Sequence, residues 1–229
     1  MAEPIRIISS MATRQLLTEL LAAFGRESPQ PVQLESVGGV DAAKRVQAGE
    51  AFDIVALASD AIDKLIEAGR LAPHSRVDLV RSGVAVAVRS GATRPDIGSG
   101  EAVRQAVLAA RTLGYSTGPS GVQLARQFER WGIADTIKDR IVQAPPGVPV
   151  GRLVAEGQVE LGFQQLSELM NLPGVEVLGP LPDDIQITTT FSAAVSAACA
   201  QPDAARALLA FMAAPAMDAI KRRNGMEPS

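Results

Sequence analysis

The sequence predicts an α/β protein of two lobes, and three observations carry that expectation. Short β-branched runs alternate with longer amphipathic segments from residue 5 to about residue 70. Two long apolar runs, Val77 to Val88 and Ile185 to Ala198, break the rhythm, and a second alternating series lies between them. Strands that alternate with helical patterns mark a parallel sheet covered by helices. Two such series joined by two crossing strands predict a hinged clamshell with a ligand cleft between its lobes. Residues 1–82 and 191–229 would form lobe one and residues 83–190 lobe two.

Each element has its own signal. Ile5 to Ile8, Val32 to Leu34 and Ile54 to Leu57 read as strands bounded by small or polar residues. Between them, Leu16, Leu17, Leu20, Leu21 and Phe24 repeat at helical spacing, as do Ala42, Ala43 and Val46, then Ile62, Leu65 and Ile66. Val77 to Val88, with Gly83 inside it, is the strand that leaves the first sheet and ends at the turn-rich Ser90 to Pro95. The second series is a helix over Glu101 to Ala110, a strand over Thr112 to Tyr115, and a helix over Gly121 to Trp131 with Leu124, Phe128 and Trp131 on one face. A strand around Ile141, a helix from about Val150 and a strand over Val159 to Phe163 complete it. Turns follow at Leu172-Pro173-Gly174 and Gly179-Pro180, and then the second crossing strand. The tail reads as two helices, the first starting at Pro202 and the second ending before Gly225, the usual placement of these two residues.

Composition excludes several classes of protein. The 229 residues are 47% hydrophobic but only 3% aromatic, so the core is aliphatic and a ligand cage of stacked rings is not expected. One Cys and one His remove Cys-based zinc sites and two-His metal motifs, and neither a metal nor a cofactor is expected. His74, in Ala72-Pro73-His74-Ser75, reads as a surface turn residue. A net charge of −3 offers no basic excess to neutralise phosphates, which disfavours nucleic acid as a partner. No apolar run approaches the roughly 20 residues of a membrane span, so no membrane insertion is expected. Met1-Ala2-Glu3-Pro4 leads straight into the first strand. The expected location is cytoplasmic as the sequence stands, or periplasmic if a signal peptide has been removed.

The chemistry concentrates at small-residue turns between strand and helix: Ser9-Ser10-Met11, Gly38-Gly39-Val40-Asp41, Ala58-Ser59-Asp60, Gly118-Pro119-Ser120-Gly121 and Gly147-Val148-Pro149. Each offers first-turn N–H groups of partial positive charge, with hydroxyls beside them and little bulk to keep a ligand away. In open α/β sheets ligands bind at the carboxyl ends of the strands, where such turns lie. Any one of these turns is also an ordinary N-cap, so the weight rests on their number. Arg14 and Arg152, each in the first turn of a helix, could fork onto a carboxylate or simply face water. Gln164-Gln165, read as following a strand, places two amides at a sheet's carboxyl end.

These residues resemble a known family. Ile7-Ile8-Ser9-Ser10-Met11, the run Gly38 to Gly49, Phe52 to Asp60, Gly118 to Gly121, Val159 to Phe163 and the segment Pro215 to Gly225 resemble the ModA-like, molybdate-binding branch of the type II periplasmic solute-binding proteins. The segment Gln47-Ala48-Gly49-Glu50-Ala51-Phe52-Asp53 is the most specific piece. The resemblance implies that an oxyanion is bound by the Ser9-Ser10 turn, the Gly38-Gly39-Val40 turn, the amides near Ala58-Ser59, and the turns at Ser120-Gly121 and Val148. It also implies departures: Gly38, Gly39 and Val40 stand where molybdate binders have a Ser-rich turn, and Gln165 stands where they have Tyr. A carboxylate therefore fits the site as well as molybdate or another oxyanion.

The leading expectation is a monomeric solute-binding protein for a small anion, with an ABC transporter permease as partner if the chain is exported. No nucleophile and base stand out as a pair, so no catalytic residue is assigned. Two alternatives stay open. Relatives of this family act as isomerases of unsaturated tricarboxylates such as aconitate, by proton transfer, with Asp41, Asp60 or Glu168 as a base. A cytoplasmic ligand sensor would use the same fold.

Overall fold

The computed structural model describes residues 3–145 and 147–229, so the Met1-Ala2 start lies outside the described residues. In chain order the elements are β1 (Ile5–Ser10), α1 (Arg14–Glu27), β2 (Val32–Val37), α2 (Gly39–Gln47), β3 (Ile54–Ala58), α3 (Ser59–Glu67) and β4 (Val77–Arg89). Next come α4 (Gly100–Ala109), β5 (Leu113–Ser116), α5 (Pro119–Arg130), α6 (Ala134–Ile137), β6 (Ile141–Ala144), α7 (Val150–Ala155), β7 (Leu161–Gln165) and α8 (Leu166–Leu169). The chain finishes with β8 (Val175–Pro180), β9 (Thr188–Val195), α9 (Pro202–Ala213), α10 (Asp218–Arg223) and β10 (Glu227–Pro228). Two compact units result: Met1–Ser82 with Thr189–Ser229, and Gly83–Thr188. The chain passes from one unit to the other inside β4 and again at the start of β9.

In the first unit β1 runs parallel to β2 and β3 on either side, and β9 lies antiparallel to β3. Period-two alternation sends successive side chains to opposite faces. Ile5, Ile7, Ile54 and Ala56 meet Leu16, Leu17 and Leu20 of α1 and Leu208, Leu209 and Met212 of α9. Ile8, Val55 and Leu57 meet Ala42 and Val46 of α2 and Ile62 and Leu65 of α3. Burial on both faces explains why β3 is unbroken by a polar residue, as parallel sheets covered on both sides require.

The second unit repeats this order. β5 runs parallel to β6 and β7, and β4 lies antiparallel to β7. One face carries Val84, Val86, Val88, Leu113, Leu161 and Phe163 against Val103, Val107, Leu124 and Phe128 of α4 and α5. The scarce aromatics gather here: the Phe128 ring lies 6.1 Å from those of Tyr115 and Trp131 and 6.3 Å from that of Phe163. The other face is small and aliphatic, with Val150, Leu153, Val154 and Val159 in one cluster and Ala85, Ala87 and Leu169 in another.

Several expected boundaries move. β1, β2 and β3 each run further than read, so Ser9, Ser10 and Ala58 belong to strands rather than to turns after them. β7 begins at Leu161 and ends at Gln165, so Gln164 and Gln165 complete the strand instead of following it. Val159 is excluded because its N–H already bonds Leu153 O, and that of Glu160 bonds the Thr112 hydroxyl. The second crossing strand is only Thr188–Val195, because Ile185 closes a turn onto Pro182 and Ser196 N turns to Asp53 O. The segment read as turns between Leu172 and Pro180 contains β8, antiparallel to β4 with an irregularity at Val86/Ala87. The short α6 was not anticipated. His74 sits in an exposed turn with φ 59°, as its neighbours Pro73 and Ser75 suggested.

Candidate functional site

Because β1 is parallel to β2 and β3, the carboxyl ends of all three share one edge of the first sheet. Ser10, Val37 and Ala58 end these strands, and the helical segments beginning at Met11, Gly39 and Ser59 start there. Ser10 and Gly39 are neighbours, since a Cβ on Gly39 would lie 3.5 Å from that of Ser10. Ser9 and Ser10 are both buried, yet their hydroxyls differ in use. Ser9 Oγ is 2.7 Å from Ser36 Oγ across the strand pair, a bond internal to the sheet. Ser10 Oγ lies 3.4 Å from the hydroxyl of Thr13, which itself reaches Ser10 O at 3.2 Å. Thr13, 1% exposed, was missed in the sequence, although a hydroxyl three residues after a Ser that ends a strand is a visible signal.

The second sheet presents the same edge. β5, β6 and β7 end at Ser116, Ala144 and Gln165 and feed α5, α7 and α8. Ser120 and Gly121 stand in the first turn of α5, and Val148 precedes α7. A Cβ on Gly121 would overlap the Ser116 carbonyl oxygen, so α5 rests its first turn directly on the end of β5.

The N-caps of α1, α2, α3, α5 and α7 are Thr13, Gly38, Ala58, Gly118 and Pro149, and none turns a side chain onto the first-turn N–H groups. Among the described helices only α4 has such a cap, from Ser99 to Ala102 N at 3.1 Å. Orphan N–H groups at helix starts need an acceptor from elsewhere; in α7 the Gly151 N–H finds one in Gln164 Oε1 at 3.3 Å, and for the others a small anion can serve.

Not every expected residue joins these edges equally. Arg14 opens α1 and is exposed. Arg152 is 68% exposed, and its Nε donates to Glu156 at 2.7 Å, so its charge is already matched one turn along α7. Asp41 and Asp60 occupy the first turns of α2 and α3, where a negative charge favours the helix. Val40 in α2 is 45% exposed, an apolar side chain at the helix start.

Glu168 differs from the other acids. Gln164 Nε2 donates to its Oε1 at 2.8 Å, and Gln164 Oε1 accepts from Gly151 N in α7 at 3.3 Å. Burial pushes the Glu168 carboxyl up to about 7, the Gln164 bond opposing that rise in part. The folded protein therefore holds this proton over a pH interval in which the unfolded chain has released it. Stability contributed by the neutral acid is complete below its ordinary 4.5 and is lost as pH rises through about 7. Glu168→Gln removes that loss. Urea denaturation is expected to show the variant gaining on the parent between pH 5 and 8, by at most about 3 kcal/mol; a constant difference across that range would refute it.

Cys199 donates to Asp53 Oδ1 at 3.2 Å, and burial together with that carboxylate pushes the thiol up to about 11, so it is not a nucleophile at neutral pH. Among the described residues no group of three His, Cys, Asp or Glu side chains could hold a metal ion, and no helix is long and apolar enough to cross a membrane.

Two α/β units of the same strand order, each gathering uncapped helix starts at one sheet edge, define a protein of the solute-binding class. Residues 5–227 match the family described as bacterial extracellular solute-binding protein, and the chain belongs to that family. It is 40% identical over 187 residues to an aconitate isomerase from a Pseudomonas species, across 80% of this chain and 70% of that protein. The fold is that of the periplasmic molybdate-binding protein of Azotobacter vinelandii, with a TM-score of 0.80 at 19% identity over 97% of this chain and 98% of that one. It is also that of the sulfate-binding protein SubI of Mycobacterium tuberculosis H37Rv, with a TM-score of 0.80 at 14% identity over 98% of this chain and 86% of that one. The expected type II solute-binding fold is the observed one, and the ModA-like resemblance holds for family and fold.

Proposed function

We propose that this protein binds a small unsaturated polycarboxylate at its strand-to-helix turns and interconverts the double-bond isomers of that ligand as an aconitate-type isomerase. The observation that carries the reading is the 40% identity to an aconitate isomerase over 80% of the chain. The site's chemistry supports it. Main-chain N–H groups and small hydroxyls satisfy carboxylate oxygens without a metal, and Val40 offers an apolar contact that suits a carbon skeleton better than an inorganic oxyanion.

The chemistry required is modest. In an acid of this kind a CH2 group and a C=C bond flank one carbon, so removing a proton from the CH2 and returning it at the far carbon moves the double bond. No oxidant or reductant is needed. The proton lost is acidified by conjugation with a carboxylate, and binding that carboxylate to oriented N–H dipoles stabilises the developing charge.

Calorimetric titration with cis- and trans-aconitate, citrate, molybdate, tungstate and sulfate, followed by NMR of trans-aconitate with protein in D2O, tests both parts. The expected result is preferential binding of the tricarboxylates, deuterium incorporation and appearance of the second isomer. Binding of tricarboxylates without exchange removes the isomerase; heat from the inorganic oxyanions alone removes the carboxylate as ligand as well. Family membership favours a second reading, in which the bound anion is delivered unchanged to an ABC permease. Binding without exchange is the outcome that reading requires.

A further inference from the structure

The isomerase reading leaves the proton carrier unassigned, and the structure holds one half-buried acid at the carboxyl-end edge of the second sheet. We propose that Glu168 is the catalytic base, taking the allylic proton from the bound polycarboxylate and returning it at the other end of the same three-carbon unit. This inference rests on the isomerase reading above.

The placement comes first. Glu168 lies three residues beyond Gln165, which ends β7 at the sheet edge where β5 and β6 also deliver their turns. Its Oε1 accepts from Gln164 Nε2, and the orientation of the Gln164 amide is fixed at its other end by the N–H of Gly151 in α7. Gln164 is 4% exposed, so this relay is buried. Among the described residues the one hydrogen bond recorded to the Glu168 carboxyl is that to Oε1, and no fully buried side-chain oxygen is left without a partner. The second carboxyl oxygen is therefore open to solvent or to a small molecule. One oxygen held and one open is the arrangement a proton carrier needs: fixed aim, and access to the carbon it serves.

The surroundings leave the group to its own devices. α8 packs against β7, α7 and β8. The charged side chains on those elements are Arg152 and Glu176, which pair with Glu156 and Arg94 respectively. Among the described residues no cation acts on the Glu168 carboxyl, and burial brings its titration to about 7, where it can both accept and release a proton near neutral pH.

The step balances. The C–H bond of the CH2 breaks, its proton goes to the open Glu168 oxygen, and its electron pair forms a new C=C bond to the central carbon. The former C=C pair is carried by the far carbon, delocalised into the attached carboxylate. That carbon then takes the proton back and Glu168 is ionised again. The new double bond can form in either geometry, which interconverts cis and trans acids without net change of composition.

The experiment compares the full chain with Glu168→Gln and Glu168→Asp, using trans-aconitate as probe. Calorimetry gives the dissociation constant, and NMR in D2O gives exchange and isomerisation rates across pH 5 to 9. The expected result is that Glu168→Gln keeps the dissociation constant within about threefold while exchange falls by at least ~100-fold, the usual scale of general acid–base catalysis. Glu168→Asp is expected to retain part of the rate, with the limb of its pH profile near neutrality displaced. Exchange by Glu168→Gln within about tenfold of the parent overturns the assignment and leaves the isomerase intact. If the parent itself neither exchanges nor isomerises, the isomerase reading has failed and Glu168 falls with it. Should Glu168→Gln not fold, as judged by circular dichroism, an unmoved pH limb in Glu168→Asp overturns the assignment and a displaced limb upholds it.

Discussion

Gly121→Ala is expected to abolish anion binding and to destabilise the second unit more than any other single methyl group added at the site. The added Cβ would overlap the carbonyl oxygen of Ser116 and lie 2.9 Å from its carbon. Both atoms are backbone at the end of β5, so no flexible side chain can swing away. The helix must move instead, and α5 carries Ser120 at its start and Phe128 in the aromatic cluster. Overpacking a core costs about 1–3 kcal/mol when side chains can yield, and a rigid backbone partner puts this case at the upper end or beyond. Urea denaturation and ligand titration measure the two effects together. Gly39→Ala is the matched control: its Cβ would meet only Ser10 Cβ at 3.5 Å, an ordinary contact, so its stability should hold. A Gly121→Ala protein with the parent's midpoint and affinity would refute the packing argument.

The second large effect is on affinity. Ser10→Ala combined with Ser120→Ala is expected to raise the dissociation constant at least tenfold with little change in the urea midpoint. Hydrogen bonds to a charged ligand are worth about 1.5–3 kcal/mol each, and 1.4 kcal/mol is a factor of ten. Thr13 can place its own proton on Ser10 O, which leaves the Ser10 hydroxyl able to donate to a ligand. Ser9 supplies the contrast. Its hydroxyl is engaged by Ser36 at 2.7 Å, so Ser9→Ala should lower stability and spare affinity. Equal affinity losses from Ser9→Ala and Ser10→Ala would mean that the sheet edge, and not the individual hydroxyl, sets recognition.

Much of the fold was legible because hydrophobic period and turn chemistry agree along this chain. The β-branched runs around Ile7 and Ile54 and the Leu16 to Phe24 stripe named their elements correctly. β8 was hidden because Gly174 and Gly179 flank and enter it, and glycines at φ 79° and 145° look like turns in a sequence while here they shape a strand with an irregular register. The turns of the candidate site were legible, but the hydrogen bonding within them was not. Ser9 and Ser10 are identical in sequence, and only pairing with β2 separates a structural hydroxyl from an available one.

The most family-specific segment, Gln47 to Asp53, has a structural purpose. Gly49 at φ 89° ends α2, Glu50 pairs with Arg45, and Phe52 is buried under the guanidinium groups of Arg6 and Arg45. Asp53 accepts from Arg6 N at 2.8 Å. This segment enters β3 at the end of the strand remote from Ala58, so it identifies the family through the scaffold and not through ligand contacts.

The discontinuous first unit has a consequence for biosynthesis. β3 ends at Ala58, but its antiparallel neighbour β9 begins at Thr188. At about 5–20 residues per second, a ribosome needs roughly six to twenty-six seconds to make the intervening chain. During that time the Val55 side of β3 has an unsatisfied edge, and α9, which covers Leu16 and Leu20, does not exist. The second unit, continuous from Gly83 to Thr188, can complete its own sheet while the nascent first unit still waits. Translation thus finishes the middle of this protein before its beginning, and the amino-terminal third is the part most exposed to chaperones and proteases until the last forty or so residues emerge.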